Sequence, residues 1–402
     1  MPITFRCDQC FREYRVDESL AGKQVRCKQC PNLLTVPEPE ITILSAADAF
    51  EEHGQVSSSD PLQERESTEE SRQAPEPPPL EPNGPASPVA DWSGRVLGEI
   101  NKVFIGQREL LRGVLIALLA EGHVLIESVP GLGKTLLVRA LGKVLGCSFN
   151  RIQFTPDLMP SDVTGSPIFD ERTQDFRFRP GPVFTQLLLA DEINRAPAKT
   201  HSALLEIMQE SRVTVDGTPH PLTPPFLVMA TQNPIESEGT YNLPEAQLDR
   251  FLFKLVAEYP GLEEETDILR LHTKGRGPES YLADRLETVT GPEEVLEAQR
   301  LCSEVLVDDR VLGYIAALVR RTREWPMFAL GASPRAGVAI LRAARAAAAL
   351  EGRDFAVPDD VQEVALPALR HRVMLTPEAE VEGRRPDELL AEMVRSIAVP
   401  RR

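Results

Sequence analysis

The sequence contains few aromatic residues and no long apolar run. Aromatic residues make up 5% of the 402 positions, while all hydrophobic residues make up 42%, so we expect a core built mainly from aliphatic side chains. The longest apolar candidate, residues 110–120, is interrupted by Arg112 and is shorter than the roughly 20 residues that span a bilayer. The first residues lack the basic stretch and apolar run of a secretory signal. These absences predict a cytoplasmic protein without a membrane span.

Basic residues are fewer than acidic ones, 44 against 61, and the negative charge is unevenly distributed. The formal net charge is -17, of which residues 38–90 contribute -10, while residues 1–37 come to +2. The lack of a large basic domain argues against nucleic acid as the main partner and disfavours DNA remodelling. Residues 38–90 are rich in proline and glutamate, which predicts an acidic, disordered linker. A docking site for a proline-recognising partner is the alternative.

Cysteine is rare as well, but four of the six cysteines form two Cys-x-x-Cys pairs. In a reducing compartment such pairs indicate metal binding rather than disulfides, and four thiolates complete a tetrahedral zinc site. Phe11 and Pro31 stand where such ribbons usually carry glycine, so a redox or metal-free segment remains the alternative. We predict a zinc-ribbon-like module over residues 1–37, with structural Zn²⁺ bound by Cys7, Cys10, Cys27 and Cys30.

From Asp91 onward, short apolar runs alternate with helix-like stretches. Residues 124–126, 187–189 and 226–229 are typical of buried strands. Their alternation with helices predicts an α/β domain over residues 91–260, with a parallel sheet covered on both faces. Beyond it we predict an α-helical domain over residues 261–402, with helices at 293–323, 334–350, 358–371 and 387–397.

Residues 127–135, Glu-Ser-Val-Pro-Gly-Leu-Gly-Lys-Thr, have the pattern of a phosphate-binding loop between a strand and a helix. The glycines would let the backbone approach a phosphate, Lys134 would contact the β and γ phosphates, and Thr135 would bind Mg²⁺. The pattern normally opens with glycine, and a positive φ would strain Ser128 there. The predicted ATP contacts are Ser128, Val129, Pro130, Gly131, Leu132, Gly133, Lys134, Thr135 and Leu136.

Two later apolar strands end in polar residues. Asp191 and Glu192 follow the run Leu-Leu-Leu-Ala, 57 residues after Lys134. Because ligands of open α/β sheets bind at the carboxyl ends of strands, we predict that Asp191 holds Mg²⁺ and Glu192 orients or deprotonates the attacking water. An N-capping acid pair is the alternative. Asn233 ends the next strand and could touch the γ-phosphate, although a turn-forming asparagine would also fit there.

Longer strings around these positions resemble the MoxR branch of the AAA+ ATPases. They are Ala190–Pro197, Ala230–Pro234 and Gly239–Phe251, within a resemblance that covers roughly residues 91–399. It implies a five-stranded αβα core followed by an α-helical lid, working as a ring that is usually a hexamer. It also implies that the stretch along the adenine comprises Ile105, Gly106 and Gln107.

The resemblance further implies roles for single residues. Asn233 corresponds to sensor 1, and Arg250 to the arginine finger that reaches the nucleotide of a neighbouring subunit. Arg335 corresponds to sensor 2, which couples the lid to the nucleotide state. Without the resemblance, either arginine would be interpreted as an ordinary surface or salt-bridge residue. Residues 156–183 match a hairpin insertion, whose phenylalanines could serve either substrate contact or packing.

The leading hypothesis is a MoxR-type ATPase that uses ATP and Mg²⁺ for chaperone-like remodelling or maturation of client proteins. The resemblance suggests a client or adaptor with a von Willebrand factor A domain. The alternatives are a motor subunit of a metal-chelatase-like complex and, because of Ser128, a nucleotide-gated scaffold with little turnover. The predicted catalytic residues are Lys134, Glu192, Asn233, Arg250 and Arg335.

Overall fold

The computed structural model describes residues 87–400, except for 173, 234–240, 242, 274–281 and 283–284, and four short strands near the N-terminus. The chain divides into two compact units, Met1–Pro79 and Leu80–Arg402. Each unit is described by itself below.

The N-terminal unit contains two antiparallel strand pairs. Strand β1 pairs with β2, and β3 pairs with β4. Their bounds are Ile3–Arg6 (β1), Glu13–Val16 (β2), Gln24–Arg26 (β3) and Leu33–Thr35 (β4). The predicted zinc ligands lie outside the described residues, as does nearly all of the predicted acidic linker.

The second unit begins at α1 and contains both the sheet and the helical C-terminal part. Its strands are β5 (Val124–Glu127), β6 (Phe149–Gln153), β7 (Gly165–Asp170), β8 (Asp175–Pro180), β9 (Leu187–Asp191), β10 (Arg212–Val215), β11 (Thr218–Pro221), β12 (Leu227–Gln232), β13 (Phe253–Val256), β14 (Phe328–Leu330) and β15 (Met374–Leu375). Its described helices are α1 (Pro88–Ile100), α2 (Arg108–Leu119), α3 (Lys134–Val144), α4 (Pro160–Thr164), α5 (Ala198–Glu210), α6 (Glu245–Leu248), α7 (Leu262–His272), α8 (Pro292–Glu304), α9 (Asp309–Glu324), α10 (Pro334–Leu350), α11 (Pro358–Leu369), α12 (Pro377–Val381) and α13 (Pro386–Ser396).

Five strands form the central parallel sheet, in the order β13-β5-β12-β9-β6. Val124 of β5 lies opposite Met229 of β12 on one side and Phe253 of β13 on the other. Every residue of β9 is buried, because helices cover both faces of the sheet. This arrangement confirms the predicted parallel α/β core and explains why its strands are continuous apolar runs.

Because the five strands run in the same direction, the sheet has two different edges. We call the edge at which β5, β9 and β12 end, at Glu127, Asp191 and Gln232, the carboxyl edge. The edge at which β5, β12 and β13 begin is called the amino edge. Strands of this length span about 13–20 Å at roughly 3.3 Å per residue. Side chains at the two edges are therefore too far apart to contact the same phosphate.

The C-terminal part is helical, as predicted, but it also contains helices α7 and α12 and the strand pair β14–β15, which were not predicted, and one predicted helix is broken. Helix α10 has the predicted bounds 334–350, but the predicted helix 293–323 is divided into α8 and α9. Asp308 begins the second of these helices, because its carboxylate accepts a hydrogen bond from the backbone N–H of Arg310 at 2.8 Å. Helix α1 begins at Pro88, three residues before the predicted start of the globular part. Within the described residues, no helix is long and apolar enough to cross a membrane.

The predicted hairpin insertion is present as the antiparallel pair β7–β8. Gly165 starts it with φ of 90°, and a Cβ there would lie 2.2 Å from the carbonyl oxygen of Arg179, so only glycine fits. Phe178 stacks on His220 with ring centroids 4.1 Å apart. Phe176, by contrast, is 67% exposed near the hairpin tip. The phenylalanines therefore divide between packing and exposure.

Candidate functional site

The segment between β5 and α3 places backbone N–H groups at a helix N-terminus. Gly131 and Gly133 have φ of 90° and 74°, values that are strained for other residues. Gly133 immediately precedes Lys134, the first residue of α3. The free N–H groups of a first helical turn, together with the positive end of the helix dipole, form a site for a phosphate group.

Ser128 adopts an ordinary conformation in this loop. Its φ is negative, and the residue is 2% exposed. Its backbone N–H donates to the carbonyl oxygen of Gln232 at 3.2 Å, and its hydroxyl donates to that of Val129 at 2.8 Å. The strain that a positive φ would cause at Ser128 is therefore absent. The small, hydrogen-bonded side chain simply replaces the usual glycine beneath the loop.

The ammonium group of Lys134 lies across the loop. Its Nζ donates to the carbonyl oxygens of Ser128 at 3.3 Å and Val129 at 3.1 Å, and to the hydroxyl of Ser128 at 3.1 Å. Burial lowers the pKa of Lys134, and the negative charges of Asp191 and Glu192 oppose this shift. The carbonyl and hydroxyl oxygens that Lys134 contacts are neutral, and they are weaker partners for a cation than phosphate oxygens. Lys134 is thus placed to exchange them for a phosphate.

The two acids at the end of β9 are each held by side chains from neighbouring strands. Asp191 accepts a hydrogen bond from the hydroxyl of Thr231 at 2.6 Å and forms an ion pair with Arg151 at 2.5 Å. Glu192 accepts a hydrogen bond from the side chain of Gln153 at 2.8 Å. The hydroxyl of Thr231 also accepts from the backbone N–H of Glu192 at 2.9 Å. One threonine therefore fixes both acids relative to each other.

These groups surround a cavity of about 280 Å³ at the carboxyl edge, which we call the phosphate cavity. It gathers most of the predicted phosphate, magnesium and catalytic residues in one place. Its lining residues are Pro130, Gly131, Gly133, Lys134, Thr135, Leu136, Arg151, Asp191, Glu192, Thr231, Gln232 and Asn233. Sequence reasoning missed Arg151 and Thr231, and also Gln153, which contacts Glu192. Their only signal was a polar side chain near the end of a strand.

The oxygen donors in this cavity fit magnesium. Thr135 supplies a hydroxyl and Asp191 a carboxylate, both of which are ligands that Mg²⁺ prefers. Within the described part of the chain, this cavity included, there is no group of three or more His, Cys, Asp or Glu side chains that could hold a metal. A small number of protein ligands is typical of Mg²⁺ that is bound together with a nucleotide phosphate.

The predicted adenine contacts lie beside a second cavity. Ile105 and Gly106 line this space of about 530 Å³ together with Phe104. Phe104 also reaches the phosphate loop, since a Cβ on Gly133 would lie 3.5 Å from its ring. Gln107, also predicted to lie along the adenine, has a side-chain oxygen that is buried without a hydrogen-bond partner. The two cavities are therefore adjacent, on either side of one aromatic ring.

Arg250 and Arg335 lie elsewhere, in a cavity of about 560 Å³. We call it the arginine cavity, after its residues Arg250, Arg335, Arg342 and Arg372. His123, Phe226 and Leu252 also line it, and each immediately precedes the first residue of a sheet strand at the amino edge. The arginine cavity shares no lining residue with the phosphate cavity.

Arg250 and Arg335 have side chains with neither an ion pair nor a hydrogen bond to another described residue, whereas Arg342 donates to the carbonyl oxygen of Glu121 at 3.0 Å. The Nε of Arg250 is buried and makes no hydrogen bond. Arg335 is exposed, and only its backbone N–H is hydrogen-bonded, to Ser333. Arg372, in contrast, is almost completely buried and pairs with Asp249 at 2.7 Å. The cavity thus presents cationic groups that are not paired with any acid among the described residues.

Family models match both parts of the second unit. Residues 123–253 match the family described as "ATPase family associated with various cellular activities (AAA)". Residues 320–393 match the AAA lid domain. The first match contains the phosphate cavity and Arg250, and the second contains Arg335 and Arg372.

Similar proteins narrow the family further. The chain is 42% identical over 317 residues to Chaperone MoxR1 of Mycobacterium tuberculosis, covering 76% of this chain and 82% of that protein. The chain belongs to the MoxR family of AAA+ ATPases. It is also 50% identical to the uncharacterized protein YeaC of Bacillus subtilis, over 76% of this chain and 94% of that one.

A solved structure agrees with this MoxR assignment. A crystal structure of a Cytophaga hutchinsonii protein assigned as an ATPase has a TM-score of 0.72 and 39% sequence identity. It covers 78% of this chain and 96% of that chain. This member of the MoxR family is therefore an ATP hydrolase with an α/β core and a helical lid.

Proposed function

We propose that this MoxR ATPase uses ATP hydrolysis for chaperone-like remodelling or maturation of client proteins. The observation that carries the proposal is the cavity at the carboxyl edge, where a lysine, two acids and an asparagine meet beneath a phosphate loop. The family includes a chaperone, which supports the proposal that hydrolysis drives a conformational change in a client protein. A metal-chelatase-like motor and a scaffold with little turnover remain the alternatives.

The phosphate loop and Lys134 would bind the substrate. Lys134 would leave its loop carbonyls for oxygens of the β and γ phosphates, while N–H groups at the start of α3 donate to the same phosphates. Thr135 and Asp191 would hold Mg²⁺. When bound, this ion neutralises negative charge on the phosphates.

Glu192 would act on the attacking water. Its carboxylate is fixed by Gln153 and stands beside Asn233 in the phosphate cavity. In this position it would orient the water and accept its proton as the oxygen attacks the γ-phosphorus and the bond to ADP breaks. Asn233 would hold the same water or a γ-phosphate oxygen, as proposed for sensor 1.

Arg250 and Arg335 would act on the nucleotide of a neighbouring subunit. Supporting this proposal, both line the arginine cavity at the amino edge, about one strand length from the phosphate loop of their own chain. A head-to-tail ring would bring this cavity against the phosphate cavity of the next copy. We therefore propose a homo-oligomeric ring, most simply a hexamer, with trans stabilisation of transition-state charge.

The remaining proposals concern the rest of the chain. We propose that residues 1–37 bind structural Zn²⁺, because each Cys-x-x-Cys pair falls between two paired strands. A linker over residues 38–90 would tether this module to the core (91–260) and lid (261–402). A cytoplasmic location and a client or adaptor with a von Willebrand factor A domain complete the proposal.

The decisive test of the hydrolytic site is Glu192→Gln. We expect steady-state ATP turnover to fall at least about 100-fold, because the variant removes the base but keeps its shape. Binding of a fluorescent ATP analogue should stay within about twofold. Glu206→Gln, at an exposed position on α5, is the matched control and should behave like the wild type. Unchanged hydrolysis would refute the role of Glu192, and a wild type that binds without turnover would favour the scaffold.

A further inference from the structure

The two arginines proposed to act in trans come from different parts of the chain but are joined through one carboxylate. Arg250 precedes β13 in the core, whereas Arg335 lies in the first turn of α10 in the lid. Asp249, the immediate neighbour of Arg250, accepts a hydrogen bond from the hydroxyl of Ser333 at 3.1 Å. That hydroxyl caps α10, because it accepts from the backbone N–H of Arg335 at 3.2 Å.

The other oxygen of the same carboxylate holds a buried arginine. Arg372 donates from its Nε to Asp249 at 2.7 Å, and its side chain is only 3% exposed. Burial lowers the pKa of Arg372, while the negative charge of Asp249 opposes that shift. A guanidinium in this position needs a counter-charge, since an unpaired buried charge is strongly destabilising. Asp249 is the acid that supplies it.

Arg372 also fixes the backbone on both sides of Arg250. It donates to the carbonyl oxygens of Asp249 at 3.0 Å, Phe251 at 2.7 Å and Leu252 at 3.1 Å. His371 contributes a further contact from its Nε2 to the carbonyl oxygen of Phe251, at 3.0 Å. The backbone that carries Arg250 is therefore held by residues of the lid, while the guanidinium of Arg250 has no ion-pair partner within the described residues.

We propose that Asp249 is a positioning residue which, with Arg372 and Ser333, holds Arg250 and Arg335 in a fixed relation to each other. This inference rests on the proposed trans role of the two arginines. A cation stabilises transition-state charge only when it is held close to the productive geometry, so the bracing affects turnover rather than nucleotide binding. Because one carboxylate contacts both core and lid, a shift of the lid moves both arginines together.

The test uses mixtures of full-length variants. Asp249→Asn would keep its own phosphate cavity intact but supply badly placed arginines to its neighbour, so kcat should fall at least tenfold with little change in KM. Lys134→Ala would have an impaired phosphate cavity but would supply intact arginines to its neighbour. In a one-to-one mixture, about a quarter of the interfaces would pair an intact phosphate cavity with intact arginines. We therefore expect activity to return when these two variants are mixed, and not when Asp249→Asn is mixed with Arg250→Ala.

Each other outcome of these mixtures has a definite meaning. Wild-type activity of Asp249→Asn alone would overturn the inference. If Arg250→Ala regains activity with Lys134→Ala but Asp249→Asn does not, then Asp249 serves folding rather than positioning. If Arg250→Ala itself is not rescued, the proposed trans role has failed, and the inference fails with it. The melting temperature of each variant identifies a loss of fold directly.

A second pair of variants separates positioning from simple helix capping. Ser333→Ala should lower kcat several-fold at unchanged KM, and Ser333→Thr, which keeps the hydroxyl, should restore most of the rate. Thr376→Ala is the matched control, because Thr376 caps α12 through its hydroxyl and does not contact Asp249. An equal loss of kcat in Thr376→Ala would contradict a specific role for the Ser333–Asp249 contact.

Discussion

At the carboxyl edge of the sheet, the two acids are paired with arginines of this chain, whereas at the amino edge two arginines have no side-chain partner among the described residues. Asp191 is paired with Arg151, and Glu192 with Arg195 at 3.2 Å. Arg250 and Arg335 have no ion-pair partner among the described residues. A site whose charges are balanced is stable in the free subunit, while unbalanced cations in a cavity gain a favourable interaction only when an anion arrives.

This difference assigns separate tasks to the two edges. The groups proposed to bind a triphosphate and activate water lie at the carboxyl edge, so substitutions there should impair the subunit that carries them. The cations proposed to act in trans line the cavity at the amino edge, so substitutions there should impair the neighbour. The proposed difference between the two edges can therefore be tested by asking whether a substitution impairs its own subunit or the neighbouring one.

The largest expected effect belongs to Arg250→Ala. We expect kcat to fall about 10³-fold, the usual cost of removing an arginine finger, while ATP binding stays near the wild-type value. The wild-type rate per subunit should also rise with protein concentration, because the trans arginine acts only in the assembled ring. Steady-state ATPase assays over a concentration series measure both effects.

Arg320→Ala is a suitable control for that experiment, since Arg320 is an exposed lid arginine that pairs with Glu324. It should leave turnover unchanged. A rate per subunit that is independent of concentration, together with an active Arg250→Ala variant, would remove the distinction between the two edges.

A smaller effect is expected from the buried imidazole at the amino edge. His123 donates from Nε2 to the carbonyl oxygen of Met208 and accepts from the N–H of Val228 at Nδ1, which fixes the neutral form. Burial, with a lesser contribution from Arg342, lowers its pKa from 6.5 to about 4. Its contribution to stability is therefore complete above about pH 6.5 and is lost as the pH falls toward 4. Between pH 7 and pH 5 we expect a loss of about 2 kcal/mol from this residue.

Urea unfolding at the two pH values would measure this loss. The difference between wild type and His123→Gln isolates the residue from His201 and His371, whose pKa values burial also lowers. A variant with the same pH dependence as the wild type would show that His123 does not titrate on unfolding.

Much of the fold could be predicted because its signals are local. The strands of a sheet covered on both faces form continuous apolar runs, and 334–350 is a complete alanine-rich helix. The break between α8 and α9 was missed because it depends on a single capping aspartate within a helical pattern. The N-terminal cysteine pairs remain a prediction, since they lie outside the described residues.

The candidate site, like the fold, could be predicted only in part from the sequence. The phosphate loop and the acids after β9 follow from spacing and from the geometry of parallel strands. The Asp249–Arg372 pair could not be found by such reasoning, because 123 residues separate its members and Arg372 lies outside the strings that carry the family resemblance. Arg151 was missed because polar residues on an edge strand are ordinary, and only folding brings this one against Asp191.

The smallest expected effect belongs to Arg151, the cation of the carboxyl edge. Its side chain is 45% exposed, and such half-exposed ion pairs contribute about 1 kcal/mol or less. Arg151→Ala should therefore lower kcat by no more than about tenfold, because Asp191 keeps its hydrogen bond from Thr231. The Arg151→Ala variant should impair the phosphate cavity of its own subunit. Mixing it with Arg250→Ala, whose phosphate cavity is intact, should therefore restore activity, whereas mixing it with Lys134→Ala should not. Rescue by Lys134→Ala would assign Arg151 to the same trans function as Arg250 and would erase the difference between the two edges.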